Sequence, residues 1–199
     1  MGREVILASK SPRRQEILQM LGLKFRVQVS GAEENAPDGL TPAQLVAHLA
    51  RQKLDAVREN SSAEAVIIAA DTVVYCEERI LGKPADLGEA AAMLRMLSGR
   101  AHSVFTGIAV SCGEKIAVEA VETRVYFRSL TEEEINYYIH HAKVCDKAGA
   151  YAIQEFAGTF VEKLEGDYHS VVGLSVHALD RLLKEIDCPL TALLEDGYA

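Results

Sequence analysis

"EVILASKSPRRQEILQMLG", residues 4–22, joins a buried strand to a helix through a short serine-rich turn, and that junction makes the fold α/β. "EVILAS" reads as the strand. Ser11 suits an N-cap and Pro12 the first helical position, where its missing N–H costs nothing. Ile17, Leu18 and Leu21 supply an apolar face, and Gly22 closes the helix. Arg13 and Arg14 stand in the first turn, where the helix dipole disfavours cations. Two readings account for them. A solvated helix start tolerates charge, with arginine stems lying along apolar surface. Alternatively, free N–H groups at a helix start bind an anion, with Ser9, Ser11 and Lys10 as further donors and guanidinium forks matching phosphate oxygens.

Outward from this junction, strands and helices mix throughout. "FRVQVS" (25–30) alternates like a strand and runs into the acidic loop "GAEENAPDG". Thr41-Pro42 starts a second helix, with Leu45, Leu49 and Leu54 facing the core. "AVIIAADTVVY" (65–75) is strand-like, "CEERILGKPAD" (76–86) reads as a loop, and a third helix covers about 88–98 before Gly99. "HSVFTGIAVSC" and "KIAVEAVETRVYFRSL" form a hairpin about Gly113-Glu114. Thr131 and Glu134 make a capping box for a fourth helix, and a last helix lies near 175–186. The pattern predicts an α/β class with a substantial mixed sheet in one domain spanning 1–199, with a possible two-lobe seam near 129–148.

With 199 residues, 49% of them hydrophobic and 25% charged, the chain has ample material for a core. No run approaches the roughly 18 apolar residues of a membrane span. The start has no long apolar segment followed by a small-residue cleavage site, so it does not read as a signal peptide. Cys76, Cys112, Cys145 and Cys188 form no CxxC pair and are expected to be buried, reduced thiols, which fits a cytoplasmic protein. A formal net charge of −8 argues against an extended nucleic-acid surface, though a pocket for a small polyanion needs only a few local cations.

Asp71 interrupts an apolar run. It is either a strand-end turn residue or a functional carboxylate at a strand's C-terminal end, and a buried acid needs a cation, a metal or donors. Glu33 and Glu34 are a solvated acidic pair or part of an all-oxygen Mg²⁺ site with Asp71. Lys83 in "LGKPAD" is no Walker A lysine, since Pro84 replaces the Ser/Thr, but it can still contact phosphate. Lys53 reads as a solvent-facing charge. There is no GxGxxG, no HExxH and no GxSxG.

Taken in order, "LASKSPRRQEIL", "EE" at 33–34, "LARQK", "AADTVV", "LGKPAD", "MLRMLSGRAHSVFTG", "TEEEINYYI", "DKAGAYAIQ" and "GDYHSVVGL" resemble the Maf family of nucleoside triphosphate pyrophosphatases over nearly the whole chain. That resemblance implies an ITPase-like fold, an elongated mixed sheet with two lobes around a cleft, commonly as a homodimer. It implies hydrolysis of a nucleoside triphosphate to monophosphate and pyrophosphate, assisted by Mg²⁺ or Mn²⁺. It makes Asp71 the general base and, with Glu34, a metal ligand. Ser9, Arg13, Arg14, Lys83 and Lys53 would hold the triphosphate. Arg13, Thr72 and Gln154 match the dTTP/UTP subgroup, with Thr72 and Gln154 reading the base. The rivals are a pyrophosphatase for ITP, XTP, modified pyrimidines or 7-methyl-GTP, and a non-catalytic nucleotide- or nucleic-acid-binding regulator of division. Two departures stand out: "IQEFAG" is more acidic than the family's glycine-rich pattern, and Ser175 replaces a usual proline.

Overall fold

A computed structural model describes residues 3–29, 31 and 35–194. Its strands make a seven-stranded mixed sheet in the order β2-β1-β3-β5-β6-β7, with β4 paired to β3. The elements are β1 (Val5–Leu7), α1 (Pro12–Met20), β2 (Arg26–Val27), α2 (Pro42–Arg58), β3 (Val66–Cys76), β4 (Arg79–Leu81) and α3 (Leu87–Leu97), then β5 (Ala101–Cys112), β6 (Lys115–Phe127), α4 (Glu132–His141), β7 (Val161–Glu165), α5 (Tyr168–Val172) and α6 (Val176–Glu185). The α/β class with a mixed sheet is as the sequence implied. β1 pairs in parallel with β2 and β3, whereas β3/β4 and β6/β7 are antiparallel.

The chain forms two compact units. One takes the residues up to Asp71, Thr106–Val121 and those from Gly173 onward; the other takes Thr72–Phe105 and Glu122–Val172. Residues 129–148 lie within the second.

In the first unit, β1 and the start of β3 are buried on both faces, as a parallel pair must be. Ile6, Ala8, Ile67 and Ala69 meet Ala50, Leu54 and Val57 of α2, each large side chain worth roughly 1.5–3 kcal/mol on burial. Helix α2 approaches β5 closely at Gly107, where an added Cβ would lie 2.1 Å from the Val46 carbonyl oxygen. No side chain fits there, so Gly107 sets how near α2 lies to the sheet. Thr41 and Gln44 make a full capping box at the start of α2. Leu45, expected in the core, is only half-buried; Val46 takes that position.

Ser175, the departure from proline, is buried and caps α6, its Oγ accepting from the Ala178 N–H at 3.0 Å. Proline would remove that acceptor. Among the described residues no helix is long and apolar enough to cross a membrane.

In the second unit, α3 and α4 enclose an apolar cluster that includes Leu94, Leu97, Phe127, Tyr138 and Phe160. The capping box of Thr131 and Glu134 is present as read. His102 is buried in this cluster, edge-on to Phe127, with Nε2 2.8 Å from the Tyr151 hydroxyl. Burial pushes the His102 imidazole down to about 4.

Several expectations need correction. Residues 76–86 are not all loop, because Arg79–Leu81 returns along β3 as β4. The turn between them holds Glu77 and Glu78 at φ of 48° and 62°, so it lacks the glycine or asparagine that announces such turns. The strand expected over 25–30 shrinks to Arg26–Val27, with Ser30 outside the described residues. Cys145 is exposed, while Cys76, Cys112 and Cys188 are buried free thiols.

Candidate functional site

The parallel pairing of β1 with β3 ends with Leu7 opposite Ile68, and the Ala8 N–H still donates to the Ile68 carbonyl at 2.8 Å. Continuing that register sets Ser9 alongside Ala70, one residue before Asp71. The C-terminal ends of parallel strands are where α/β proteins bind ligands. Asp71 is not, however, at a strand end: β3 runs on unbroken to Cys76.

Asp71 and Lys53 form an ion pair, with Lys53 Nζ 2.5 Å from Asp71 Oδ1 and side chains 14% and 13% exposed. The cation that a buried acid needs is thus supplied by the protein. Lys53 is therefore not the solvent-facing charge its residue type suggested. Its spacing carried the signal: it follows Val46 by seven residues, Leu49 by four and Ala50 by three, which places it on the buried stripe of α2.

Ser11 occupies the N-cap position of α1 as read, but its side chain makes no cap bond and the first turn holds no acid. Instead the Ser11 backbone N–H donates to Ser9 Oγ at 3.2 Å. Arg14 donates from Nη1 to the same Oγ at 2.9 Å and from Nε to the Gly173 carbonyl at 2.8 Å. Both readings of the arginine pair are modified by this. Arg14 is neither loose in solvent nor wholly reserved for a ligand, because its guanidinium pins the α1 start to Gly173. Gly173, at φ 133°, was not singled out from the sequence; its acceptor role is a backbone property that no residue type reveals.

Ser9 is buried at 6% exposure and accepts from two donors. A hydroxyl has two lone pairs and one proton, so what Ser9 still offers is its O–H as a donor. Arg13 is half-buried, one residue after Pro12.

The structure therefore shows two contacts in the first unit, Arg14 with Ser9 and Lys53 with Asp71. Arg13 belongs to the same unit, whereas Thr72, Lys83 and Gln154 belong to the second. Thr72 is half-buried in β3, Lys83 is exposed after β4, and Gln154 is exposed in a turn closed by the Glu155 N–H donating to the Ala152 carbonyl at 3.1 Å. The last three residues of the acidic "IQEFAG" stretch already belong to a short 3₁₀ helix, Phe156–Phe160.

Glu33 and Glu34 lie outside the described residues. Among the described residues no three His, Cys, Asp or Glu side chains gather as a metal site. Asp71 contributes one carboxylate, with Oδ1 engaged by Lys53, and a Mg²⁺ site that keeps its waters needs few more protein oxygens. The described donors suit such an ion only with a further acid.

Fold and sequence together define an α/β protein in which a serine–arginine contact follows β1 and a lysine–aspartate pair joins α2 to β3. The chain belongs to the Maf family: the family model of Maf-like proteins matches residues 4–186. It is 48% identical over 185 residues to a dTTP/UTP pyrophosphatase of Pelotomaculum thermopropionicum, covering 92% of this chain and 96% of that protein. It is 45% identical over 189 residues to a dTTP/UTP pyrophosphatase of Bacillus cereus, covering 95% and 98%. Among solved structures, a HAM1 protein from Coxiella burnetii aligns with TM-score 0.49 and 16% identity over 92% of this chain and 99% of that one.

Proposed function

We propose that this protein is a nucleoside triphosphate pyrophosphatase that hydrolyses dTTP and UTP to the monophosphate and pyrophosphate. The observation that carries the reading is the largely buried Lys53–Asp71 pair, in a chain whose near-full-length relatives bear that activity in their names.

In the proposed reaction a water oxygen bonds to the α-phosphorus while the bond from that phosphorus to the bridging oxygen breaks, releasing pyrophosphate. Asp71 Oδ2 accepts the water's proton as Oδ1 stays on Lys53, which orients the carboxylate. Transfer at phosphorus depends on positioning and charge neutralisation, with little covalent work for the protein. Ser9 donates its O–H to a phosphate oxygen, and Arg13, Arg14 and Lys83 grip the triphosphate. Thr72 and Gln154 contact the base edge, an amide matching the donor and acceptor of uracil or thymine. Glu34 and Asp71 would hold a Mg²⁺ or Mn²⁺ ion, which neutralises phosphate charge when bound. We assign the working form to a cytoplasmic homodimer that binds nucleotides, with no membrane or nucleic-acid partner.

A panel of nucleoside triphosphates assayed for pyrophosphate release with Mg²⁺ or Mn²⁺ tests the reading. dTTP and UTP are expected to lead, and Asp71→Asn is expected to lose about 10²–10⁴-fold in turnover. Preference for a purine triphosphate, or a wild-type rate in Asp71→Asn, would overturn it.

A further inference from the structure

Lys147, in "DKAGAYAIQ", has a side chain only 4% exposed. An ammonium has three N–H donors and no acceptor, and a buried one needs oxygens around it. Three are present. The Lys143 carbonyl and Asp146 Oδ1, at 3.0 Å, are local. The third, Glu155 Oε2 at 3.5 Å, lies past the turn that carries Gln154. Lys147 therefore ties the start of this segment to the residue following Gln154.

The same segment reaches the loop of Lys83. Gly149 stands at φ +66°, and a Cβ there would lie 2.8 Å from Val74 Cγ2, so only glycine lets the turn sit against β3. From that position the Gly149 N–H donates to the Gly82 carbonyl at 3.0 Å, and Lys83 follows immediately. Residues 147–149 thus bridge the two second-unit segments assigned to substrate, one bearing Lys83 and the other Gln154.

We propose that Lys147 is a positioning residue that fixes the Gln154 turn against the Lys83 loop and so sets the base selectivity of the triphosphate site. This rests on the reading of Gln154 as the residue that contacts the base. Lys147 does not itself touch substrate, because its buried ammonium already faces two hydrogen-bond acceptors and the Glu155 carboxylate. Glu155 is about half exposed, and an ion pair of that kind adds little stability. Its contribution is geometric, so its loss should register in selectivity more than in folding.

Two variants test this. Lys147→Met keeps the stem and removes the ammonium; Glu155→Ala cuts the same link from the exposed side, where folding is safe. Each is expected to raise KM for dTTP and UTP about fivefold and to narrow discrimination against CTP about fivefold, with kcat within about twofold. The double variant should be no worse than either single one, since all break one link. Amides of 152–156 should exchange hydrogen faster in both variants. Unchanged selectivity and unchanged exchange would overturn the proposal, as would a Lys147→Met variant that merely unfolds more easily while Glu155→Ala behaves as wild type. Wild-type protein inactive on every nucleotide would sink the proposed function instead, and amide exchange would still report whether Lys147 holds the turn.

Discussion

Lys53 and Asp71, eighteen residues apart in sequence, meet at 2.5 Å between α2 and β3 with both side chains mostly out of solvent. Gly107 lets the same helix lie close to the sheet at Val46, about two turns before Lys53. Removing one partner of such a pair leaves the other charge stranded, at ~2–4 kcal/mol for a site not wholly buried. Lys53→Met is expected to lose that much in urea unfolding. The double variant Lys53→Met with Asp71→Asn should lose less than the two singles combined, by ~1–3 kcal/mol. Additive losses would mean that the two charges do not act as a pair.

Ser9 Oγ serves two donors at once, the Arg14 guanidinium and the Ser11 N–H. Ser9→Ala takes one acceptor from each, which should cost about 1–2 kcal/mol. With one of the bonds that orient Arg14 lost, and the Ser9 O–H donor with it, KM for dTTP is expected to rise about tenfold in steady-state pyrophosphate release. An unchanged KM would reduce this cluster to a folding role.

His102 gives the protein a specific pH dependence. Its imidazole falls from 6.5 in the unfolded chain to about 4 in the folded one because burial disfavours the charged form. The unfolded chain therefore takes up the proton first as the medium acidifies. The His102 contribution is whole above pH 6.5, is lost between about 6.5 and 4, and changes no further below that, for a total of about 3 kcal/mol. Glu134, held down to about 2 by its hydrogen bond to Arg128, loses its contribution only between 4.5 and 2, which leaves the range from 7.5 to 5 to His102. Unfolding free energies at pH 7.5 and 5 should thus differ clearly in the wild type and much less in His102→Gln. Equal differences in the two proteins would show that His102 is not the group responsible.

How much of this was legible in the sequence depends on the range of the interaction concerned. The strand, proline and helix of residues 5–20, the turn at Gly113 and the capping box of Thr131 and Glu134 are local, and each was readable. The β3–β4 hairpin escaped because Glu77 and Glu78 take positive φ without a glycine to announce it. Lys53 was misread from its residue type although its position on the α2 stripe pointed inward. The anchoring of Arg14 by Gly173 is a bond to a carbonyl 159 residues away, which no local pattern encodes. The candidate site divides the same way. Asp71 stood out as an acid in an apolar run, whereas the groups that hold it and Arg14 came only from the fold.

Turnover of dTTP in ¹⁸O-labelled water, followed by mass analysis of both products, tests most directly the claim that Asp71 aims water at the α-phosphorus. The account predicts one pyrophosphate per dTMP, with the label in dTMP alone and almost none incorporated by Asp71→Asn over the same interval. Label in the pyrophosphate, or release of orthophosphate as the primary product, would contradict it.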